Sequence, residues 1–143
     1  MPLRIVVAGA TGWVGRALVP AIAAAPDLEL AAAVARSAAG NDAGPATSGP
    51  ALGVTIAASL EDALATPSDV VIDYTKPNVV KGHTLAALAS GRHVVIGTSG
   101  LAAEDYDEID AAAKVAGRGV VAAGNFSITA TLLRKFALEA ARF

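Results

Sequence analysis

The 143-residue sequence contains no cysteine, which excludes disulfide bonds, thiolate zinc sites and cysteine nucleophiles and suits a reducing compartment. Aromatic residues make up only 4% of the chain. No block of basic side chains interleaved with aromatic ones is present, so nucleic acid is not an expected partner. No apolar run reaches the roughly 18 to 20 residues that a membrane-spanning helix needs, and no export signal is recognisable. We therefore expect a cytoplasmic protein without nucleic-acid or membrane partners.

Apolar residues are abundant, at 54% of the chain against 17% charged residues, which is enough for one well-packed domain. Short apolar runs alternate with segments of helical periodicity. The predicted strands are 3–7, 28–34, 54–57, 68–74, 93–96 and 119–122, and the predicted helices are 17–25, 60–65, 78–90, 103–115 and 128–143. Ser59 and Asn78 are the expected N-caps, and the Gly- and Pro-rich stretch 37–53 is expected to be a surface loop. This order predicts an α/β fold with a doubly wound, mostly parallel sheet of the Rossmann type.

Polar and glycine-rich clusters follow the predicted strands at one edge of that sheet. The clusters are 9–15, Arg36, 73–77, 97–100 and 124–127. Ligands of doubly wound sheets bind outside the carboxyl ends of the strands, so the repeated placement favours a binding site at this edge.

Three glycines with the spacing G-x-x-G-x-x-G follow the first apolar run. In a phosphate-binding turn, Gly9 would permit the tight turn, Gly12 would let a pyrophosphate approach the backbone, and Gly15 would bring the first helix close to the sheet. The following helix N-terminus would offer free N–H groups to the phosphates. A purely structural turn is the alternative. Arg16 stands where a Walker-type loop would require Lys, so that kind of site is not expected.

The end of the second predicted strand carries Arg36 and Ser37 and no acidic residue. A carboxylate there would hold the ribose 2′-hydroxyl of NAD, whereas an arginine suits the 2′-phosphate of NADP. We therefore expect NADPH as the cofactor, with NADH possible but weaker. The alternative is that Arg36 is an ordinary surface residue.

The histidines, the possible metal ligands and the serines give little indication of a further functional site. His83 lies within a predicted helix and His93 opens a strand, so both are expected to be structural and away from the ligand edge. No cluster has metal-ligand spacing, so we expect no metal, and Ser99 and Ser127 have no evident base for a hydrolytic triad.

Four ordered motifs together resemble the N-terminal domain of the dihydrodipicolinate reductases. They are VAGATGWVGR at 7–16, DYTKP at 73–77, VVIGTSG at 94–100 and GNFS at 124–127. The segment 40–44 also resembles the family's stretch after the second strand. The resemblance implies an NAD(P)H-dependent reductase that delivers hydride to a cyclic unsaturated dicarboxylate in the diaminopimelate route to lysine.

The resemblance also implies the cofactor-binding residues. These are Gly9, Ala10, Thr11, Gly12, Trp13, Val14, Gly15, Arg36, Thr75, Gly97, Thr98, Ser99, Ala123, Gly124, Asn125 and Phe126. Within this set, 9–15 would hold the pyrophosphate and Arg36 the 2′-phosphate, whereas Thr75 and 97–99 would lie by the nicotinamide.

The sequence departs from the family pattern at several positions. Trp13-Val14 replace the usual Arg-Met pair, Ser99 replaces a threonine, Ala35 replaces an acid, and 128–130 differ from the usual apolar-Gly-Val run. The family's substrate domain, with its paired histidines and lysine, has no counterpart in the sequence. We expect 1–127 to be the dinucleotide-binding domain and 128–143 a helix connecting it towards a substrate domain absent from this chain.

The catalytic residues, none of which is assigned here, would then lie in that absent domain. The family further implies a homotetramer. Two alternatives stay open, namely a stand-alone NADP-binding module and the cofactor domain of another dehydrogenase of the amino-acid or semialdehyde type.

Overall fold

The computed structural model describes all 143 residues, Met1–Phe143, and contains one sheet of six strands. The strands are β1 (Leu3–Ala8), β2 (Leu28–Val34), β3 (Ile56–Ala57), β4 (Val70–Asp73), β5 (His93–Ile96) and β6 (Val120–Ala122). They are hydrogen-bonded in the order β3-β2-β1-β4-β5-β6, and every neighbouring pair is parallel. The doubly wound, Rossmann-type sheet that the sequence predicts is therefore confirmed.

The structure has six α-helices: five follow strands in the predicted alternating order, and one short helix lies within the stretch 37–53 that was predicted to be a loop. They are α1 (Gly15–Ala24), α2 (Ala43–Ala46), α3 (Leu60–Leu64), α4 (Pro77–Ala89), α5 (Ala103–Ala116) and α6 (Ile128–Ala140). None of these helices combines the length and apolarity that crossing a membrane requires.

The side chains of β1 alternate between two separate cores because successive residues of a strand point to opposite faces. Ile5 and Val7 pack with α1 and α2, whereas Val6 and Ala8 pack with α3, α4 and α5. Val6 and Val7 are fully buried. A fully buried side chain of this size stabilises the fold by about 1.5–3 kcal/mol relative to an exposed one. Both faces are covered, and the carboxyl ends of the strands are left as the open edge.

The predicted N-cap of α4 is wrong. Lys76 occupies the N-cap position with extended backbone, and Asn78 lies within the first turn. The reason is Pro77, whose missing N–H and restricted φ suit the first helical position. The predicted cap of α3 is confirmed, since the Ser59 hydroxyl accepts a hydrogen bond from the Asp62 N–H at 3.1 Å.

The stretch 37–53 is more ordered than its composition suggests. It contains α2, and a short 3-10 turn at Arg36–Ala38 precedes it. The Asp42 carboxylate accepts hydrogen bonds from the backbone N–H groups of Gly44 (2.8 Å), Leu52 (3.0 Å) and Gly53 (2.7 Å). One side chain thus closes the loop on itself and places Ala43 in the core beneath α1.

No residue of α6 is buried. Leu132, Leu133 and Phe136, which the sequence places on one apolar stripe, remain 44%, 64% and 63% exposed. The helix thus forms where predicted but ends at Ala140 instead of continuing to residue 143, and its apolar stripe has no partner within this chain.

Candidate functional site

A cleft of about 440 Å³ opens at the carboxyl edge of the sheet, where β1, β2 and β4 end. The glycine turn after β1, the residues after β2 and the face of α4 surround it. Its lining residues are Gly9, Thr11, Gly12, Val34, Ala35, Arg36, Ser37, Ala58, Ser59, Leu60, Glu61, Tyr74, Thr75, Lys76, Val79 and His83. The structure therefore brings together predicted site residues from three strand ends.

The three glycines of the turn occupy different environments. Gly9 has φ of +85°, and a Cβ added there would lie 2.4 Å from the Tyr74 carbonyl oxygen. A Cβ on Gly15 would lie 2.2 Å from the Gly9 carbonyl oxygen, so α1 starts against the turn. Gly12 lines the cleft, and its nearest neighbour would be the Gly9 oxygen at 3.1 Å. Gly9 and Gly15 are thus required by the packing of the turn itself, whereas Gly12 keeps the cleft open.

The backbone N–H groups at the start of α1 are mostly free. Gly9 and Ala10 donate to the Val34 carbonyl, and Gly12 donates to the Gly9 carbonyl. The N–H groups of four other residues have no protein acceptor. They are Thr11, Trp13, Val14 and Gly15. Free N–H groups at a helix N-terminus form an anion-binding site, so this turn suits a phosphate group.

Arg36 begins the 3-10 turn that follows β2 and lines the cleft beside Ser37. Its guanidinium makes no hydrogen bond or ion pair with the protein. Lys76 is a second cationic residue of the cleft lining, and Glu61 is the single acidic one. The free arginine is available to a ligand at the β2 end.

Asp73 is the last residue of β4, and its carboxylate is fully buried. It accepts hydrogen bonds from the Thr75 N–H (2.9 Å), the Thr75 hydroxyl (2.6 Å), the Thr98 hydroxyl (3.2 Å) and His83 Nδ1 (2.8 Å). Burial by itself would raise the pKa of Asp73, but the hydrogen bonds from His83 and Thr75 outweigh it and hold this pKa below its ordinary value. The buried group is therefore a carboxylate with its acceptor sites filled.

His83 lies on α4 and borders the cleft, so the expectation that it is remote from the ligand edge is wrong. Lys76, Val79 and His83 follow helical spacing and share the face of α4 that lines the cleft. That spacing is the signal that could have identified His83. Its contact with Asp73 depends on how α4 packs against β4, which spacing alone does not reveal. The expectation for His93 holds, because its Nδ1 accepts a hydrogen bond from the Gly119 N–H at 2.9 Å.

Tyr74 covers the segment that follows β5. A Cβ on Gly97 would lie 2.0 Å from the Tyr74 ring, so only glycine fits beneath that ring. Gly97, Thr98 and Ser99 consequently lie next to the cleft but outside its lining. Tyr74 was not among the predicted site residues, although it lies within the 73–77 motif.

The segment after β6 lies further along the same edge. Ala123 donates a backbone hydrogen bond to Ile96, and a Cβ on Gly124 would lie 3.8 Å from the Ser99 side chain. Asn125 accepts a hydrogen bond from the Ser127 N–H, and Phe126 is 50% exposed. This segment contacts the residues after β5 but does not reach the cleft.

Four predicted site residues of the first turn differ in their exposure to solvent. Ala10 and Gly15 are buried, whereas Val14 and Trp13 are exposed.

A second depression of about 560 Å³ lies between α5 and β6 and is lined by Tyr106, Ile109 and Arg118 among others. It shares no residue with the cleft. No group of three or more His, Asp or Glu side chains is arranged to hold a metal ion.

Residues 3–126 match the family model for the N-terminus of dihydrodipicolinate reductase. The chain is 36% identical to the 4-hydroxy-tetrahydrodipicolinate reductase of Thermosynechococcus vestitus and 39% identical to that of Nocardia farcinica. These matches cover 99% and 100% of this chain but 53% and 50% of the relatives. The chain thus spans about half the length of the curated relatives it matches.

Solved structures agree with the sequence relatives. A dipicolinate-bound dihydrodipicolinate reductase from Paenisporosarcina superposes over the whole chain, and over 55% of its own, with a TM-score of 0.82 and 30% identity. GenD2 from gentamicin A biosynthesis, solved in complex with NAD, has a TM-score of 0.70 over 87% of this chain and 35% of its own. At 24% identity, GenD2 supports the fold alone. With both its sequence and its fold matched along this length, the chain belongs to the dihydrodipicolinate reductase family, in its N-terminal part.

Proposed function

We propose that the cleft binds NADPH and that the chain is the cofactor-binding part of a 4-hydroxy-tetrahydrodipicolinate reductase. The observation that carries this proposal is the glycine turn. Four backbone N–H groups at the start of α1 have no protein acceptor, and one of these residues, Thr11, lines the cleft beside Gly12, whose missing side chain keeps the cleft open. A pyrophosphate would fill those donors without any change of the backbone.

The two halves of the cofactor would lie on either side of the turn. Arg36 and Ser37, after β2, would hold the adenosine 2′-phosphate, because a free guanidinium can form charge-assisted hydrogen bonds to it. Thr75 and the segment 97–99, after β4 and β5, lie on the other side of β1 and would meet the nicotinamide ribose and ring. NADH would bind more weakly because it lacks the group that Arg36 would contact.

When bound, the reduced nicotinamide supplies the hydride of the reaction. The residues of this chain would bind the cofactor and fix the orientation of its ring, which is where a protein contributes most to hydride transfer. The turn would hold the pyrophosphate, and the residues after β4 and β5 would limit the positions of the ring. Segment 123–126, which contacts the residues after β5, would border the nicotinamide from the side of β6.

We further propose that residues 1–127 are the dinucleotide-binding domain and that 128–143 connect it towards a substrate-binding part. The exposed stripe of α6 and the half-length match to the relatives support this division. The residues that bind the dicarboxylate and donate the proton would lie in the half of the relatives that the chain does not match. The lysine pathway and a homotetrameric assembly follow from the same proposal.

The proposal is tested by titrating the protein with NADPH. Trp13 is the single tryptophan of the chain and lies in the turn, 96% exposed, so its fluorescence reports directly on binding there. We expect the Gly12→Val variant to bind NADPH about 100-fold more weakly, because its side chain would occupy the pyrophosphate position and remove charge-assisted hydrogen bonds.

The matched control is Gly82→Val, since Gly82 lies in α4 with open space around it and outside the cleft. We expect it to bind NADPH as the unmodified protein does. Equal affinity of the Gly12→Val variant and the unmodified protein would show that the phosphates do not bind at this turn.

A further inference from the structure

The Asp73 carboxylate connects side chains from three elements beneath the candidate cofactor site. Its Oδ1 accepts from the N–H and the hydroxyl of Thr75 and from the hydroxyl of Thr98, and its Oδ2 accepts from His83. Thr75 follows β4, Thr98 follows β5 and His83 lies in α4. A single buried group thus holds residues of two neighbouring strand ends and one helix in a common arrangement.

The hydrogen bond between His83 and Asp73 defines which ring nitrogen carries the hydrogen. The Asp73 carboxylate can only accept, so His83 Nδ1 must donate across the 2.8 Å separation. The other nitrogen, Nε2, has no protein partner, and the ring borders the cleft with its side chain 16% exposed. His83 is therefore held from behind by a carboxylate and borders the ligand space in front.

The network lies under one half of the site only. In the strand order β3-β2-β1-β4-β5-β6, Thr75 and Thr98 follow strands on one side of β1, and Arg36 follows β2 on the other side. No member of the network forms a hydrogen bond with Arg36 or Ser37. A disturbance of the network would act on the β4 and β5 side of the cleft.

We propose that His83 is a positioning residue, which through Asp73 holds Thr75 and Thr98 in the arrangement that receives the nicotinamide half of the cofactor. The inference rests on the proposed function, since it takes the cleft to be the NADPH site. It assigns a role to a residue that was expected to be remote from the ligand. His83 acts in this proposal on the two threonines and not on the reacting atoms.

His83 can hold the two threonines because of how the hydrogen-bond donors are divided between the two oxygens of Asp73. All but one of them reach Oδ1, so His83 is the single donor that fixes Oδ2. Without it, Oδ2 of the fully buried Asp73 carboxylate loses its one protein donor, which is unfavourable for a buried charged group. The carboxylate would turn to share the remaining donors, and the threonine hydroxyls would move with it.

The test compares two probes that share the adenosine end. NADPH carries the nicotinamide half, whereas adenosine 2′,5′-bisphosphate does not. We expect the His83→Ala variant to bind NADPH about tenfold more weakly, the effect of one hydrogen bond to a charged group. Its affinity for adenosine 2′,5′-bisphosphate should stay within about twofold of the unmodified protein, a change well below that tenfold effect.

Two conservative variants distinguish the hydrogen-bonding role of His83 from the mere space that its side chain fills. The amide nitrogen of His83→Asn lies near the place of Nδ1 and can donate to Asp73, so this variant should regain most of the NADPH affinity. The amide nitrogen of His83→Gln corresponds to Nε2 and should not. His93→Asn is the control for replacing a histidine elsewhere, and we expect unchanged binding of both probes.

Several outcomes would overturn the inference. If the His83→Ala variant bound both probes more weakly by the same factor, His83 would contact the adenosine half of the cofactor directly. Unchanged NADPH affinity, or rescue by Gln but not by Asn, would also contradict it. If the unmodified protein binds neither probe, the proposed function itself fails.

A spectroscopic measurement on the unmodified protein keeps the inference testable even if His83→Ala does not fold. Long-range ¹H–¹⁵N spectra at pH 8 distinguish the two neutral tautomers of histidine. The chain has two histidines, and we expect Nδ1–H for His83 and Nε2–H for His93, whose Nδ1 accepts from Gly119. The Nε2–H tautomer at His83 would contradict the contact on which the inference depends.

Discussion

At the scale of single residues, Arg36 carries the proposed preference of the cleft for NADPH over NADH. It is exposed, lines the cleft and has no partner in the protein. Glu61 lines the same cleft and would repel a phosphate that came close to it, so the preference depends on which of the two side chains a 2′-phosphate meets. The position of Arg36 directly after β2 favours the arginine.

We expect the Arg36→Ala variant to lose most of the preference for NADPH over NADH. Charge-assisted hydrogen bonds to a phosphate correspond to a factor of about 10 to 100 in affinity. Arg36→Lys should retain part of the preference, since lysine keeps the charge but not the planar fork of donors. Calorimetric titrations with both cofactors measure the effect.

The control for this prediction is Arg134→Ala. Arg134 lies on the exposed helix α6 and has no hydrogen bond or ion pair, so its loss should leave both affinities unchanged. If the unmodified protein binds NADPH and NADH equally, the role assigned to Arg36 is wrong.

At the scale of structural elements, the segment between β2 and β3 shows how one carboxylate can order a loop. Its composition of Gly, Pro, Ala and Ser predicts only a surface loop. In the structure, Asp42 joins both ends of that loop through three backbone N–H groups, and an isolated antiparallel bridge joins Asp42 to Thr55. These hydrogen bonds hold the pKa of Asp42 below its ordinary value, and the largest contribution comes from the Leu52 N–H, followed by the Gly44 N–H.

We expect the Asp42→Asn variant to melt at a lower temperature than the unmodified protein at neutral pH, because an amide offers one acceptor oxygen and no charge. Since the folded-state pKa of Asp42 is lowered, its contribution is complete above the unfolded pKa of about 3.9 and is lost as the pH falls through the folded value. The difference in melting temperature should therefore be constant above about pH 5 and shrink towards pH 2.

Asp107→Asn is the matched control, since Asp107 is exposed on α5 and has no hydrogen bond or ion pair. Its melting temperature should follow that of the unmodified protein at every pH. A difference for Asp42→Asn that does not depend on pH would mean that the charge of Asp42 does not stabilise the loop.

At the scale of the whole molecule, the two cores on either side of the sheet involve β1 to β6 and α1 to α5 but not α6. The folded unit that these cores define therefore precedes α6, in line with the proposed boundary at residue 127. The apolar stripe of α6 lies outside that folded unit and is available for contacts that this chain does not contain.

We expect a chain ending at residue 127 to fold with nearly the same stability as the 143-residue chain. Its melting temperature should change by less than about 3 °C, the shift that ~1 kcal/mol produces in a domain of this size. It should also retain its NADPH affinity. A clearly larger loss of stability would show that α6 packs against the domain, and the proposed boundary would be wrong.

Much of the fold could be predicted because its signals are local. The apolar runs of β1 and β4, the alternation with helices and the glycine turn follow from the order of residues, and they are sufficient for the sheet class. The start of β3, predicted at residue 54 but found at Ile56, and the cap of α4 were harder to predict. A strand of two residues is defined by its partner, and Pro77 outcompetes Asn78 for the helix start.

The sequence by itself thus determined the architecture, the glycine turn and Arg36 at the end of β2, because neighbouring residues and strand order are enough to place them. Only the tertiary structure decided that Asp73 is buried beneath Thr75 and Thr98, that Tyr74 covers Gly97, and that His83 reaches both Asp73 and the cleft. Apart from the contact between Asp73 and Thr75, these contacts join residues at least 10 positions apart in the chain. They depend on how α4 packs against β4 and β5, which no local pattern specifies.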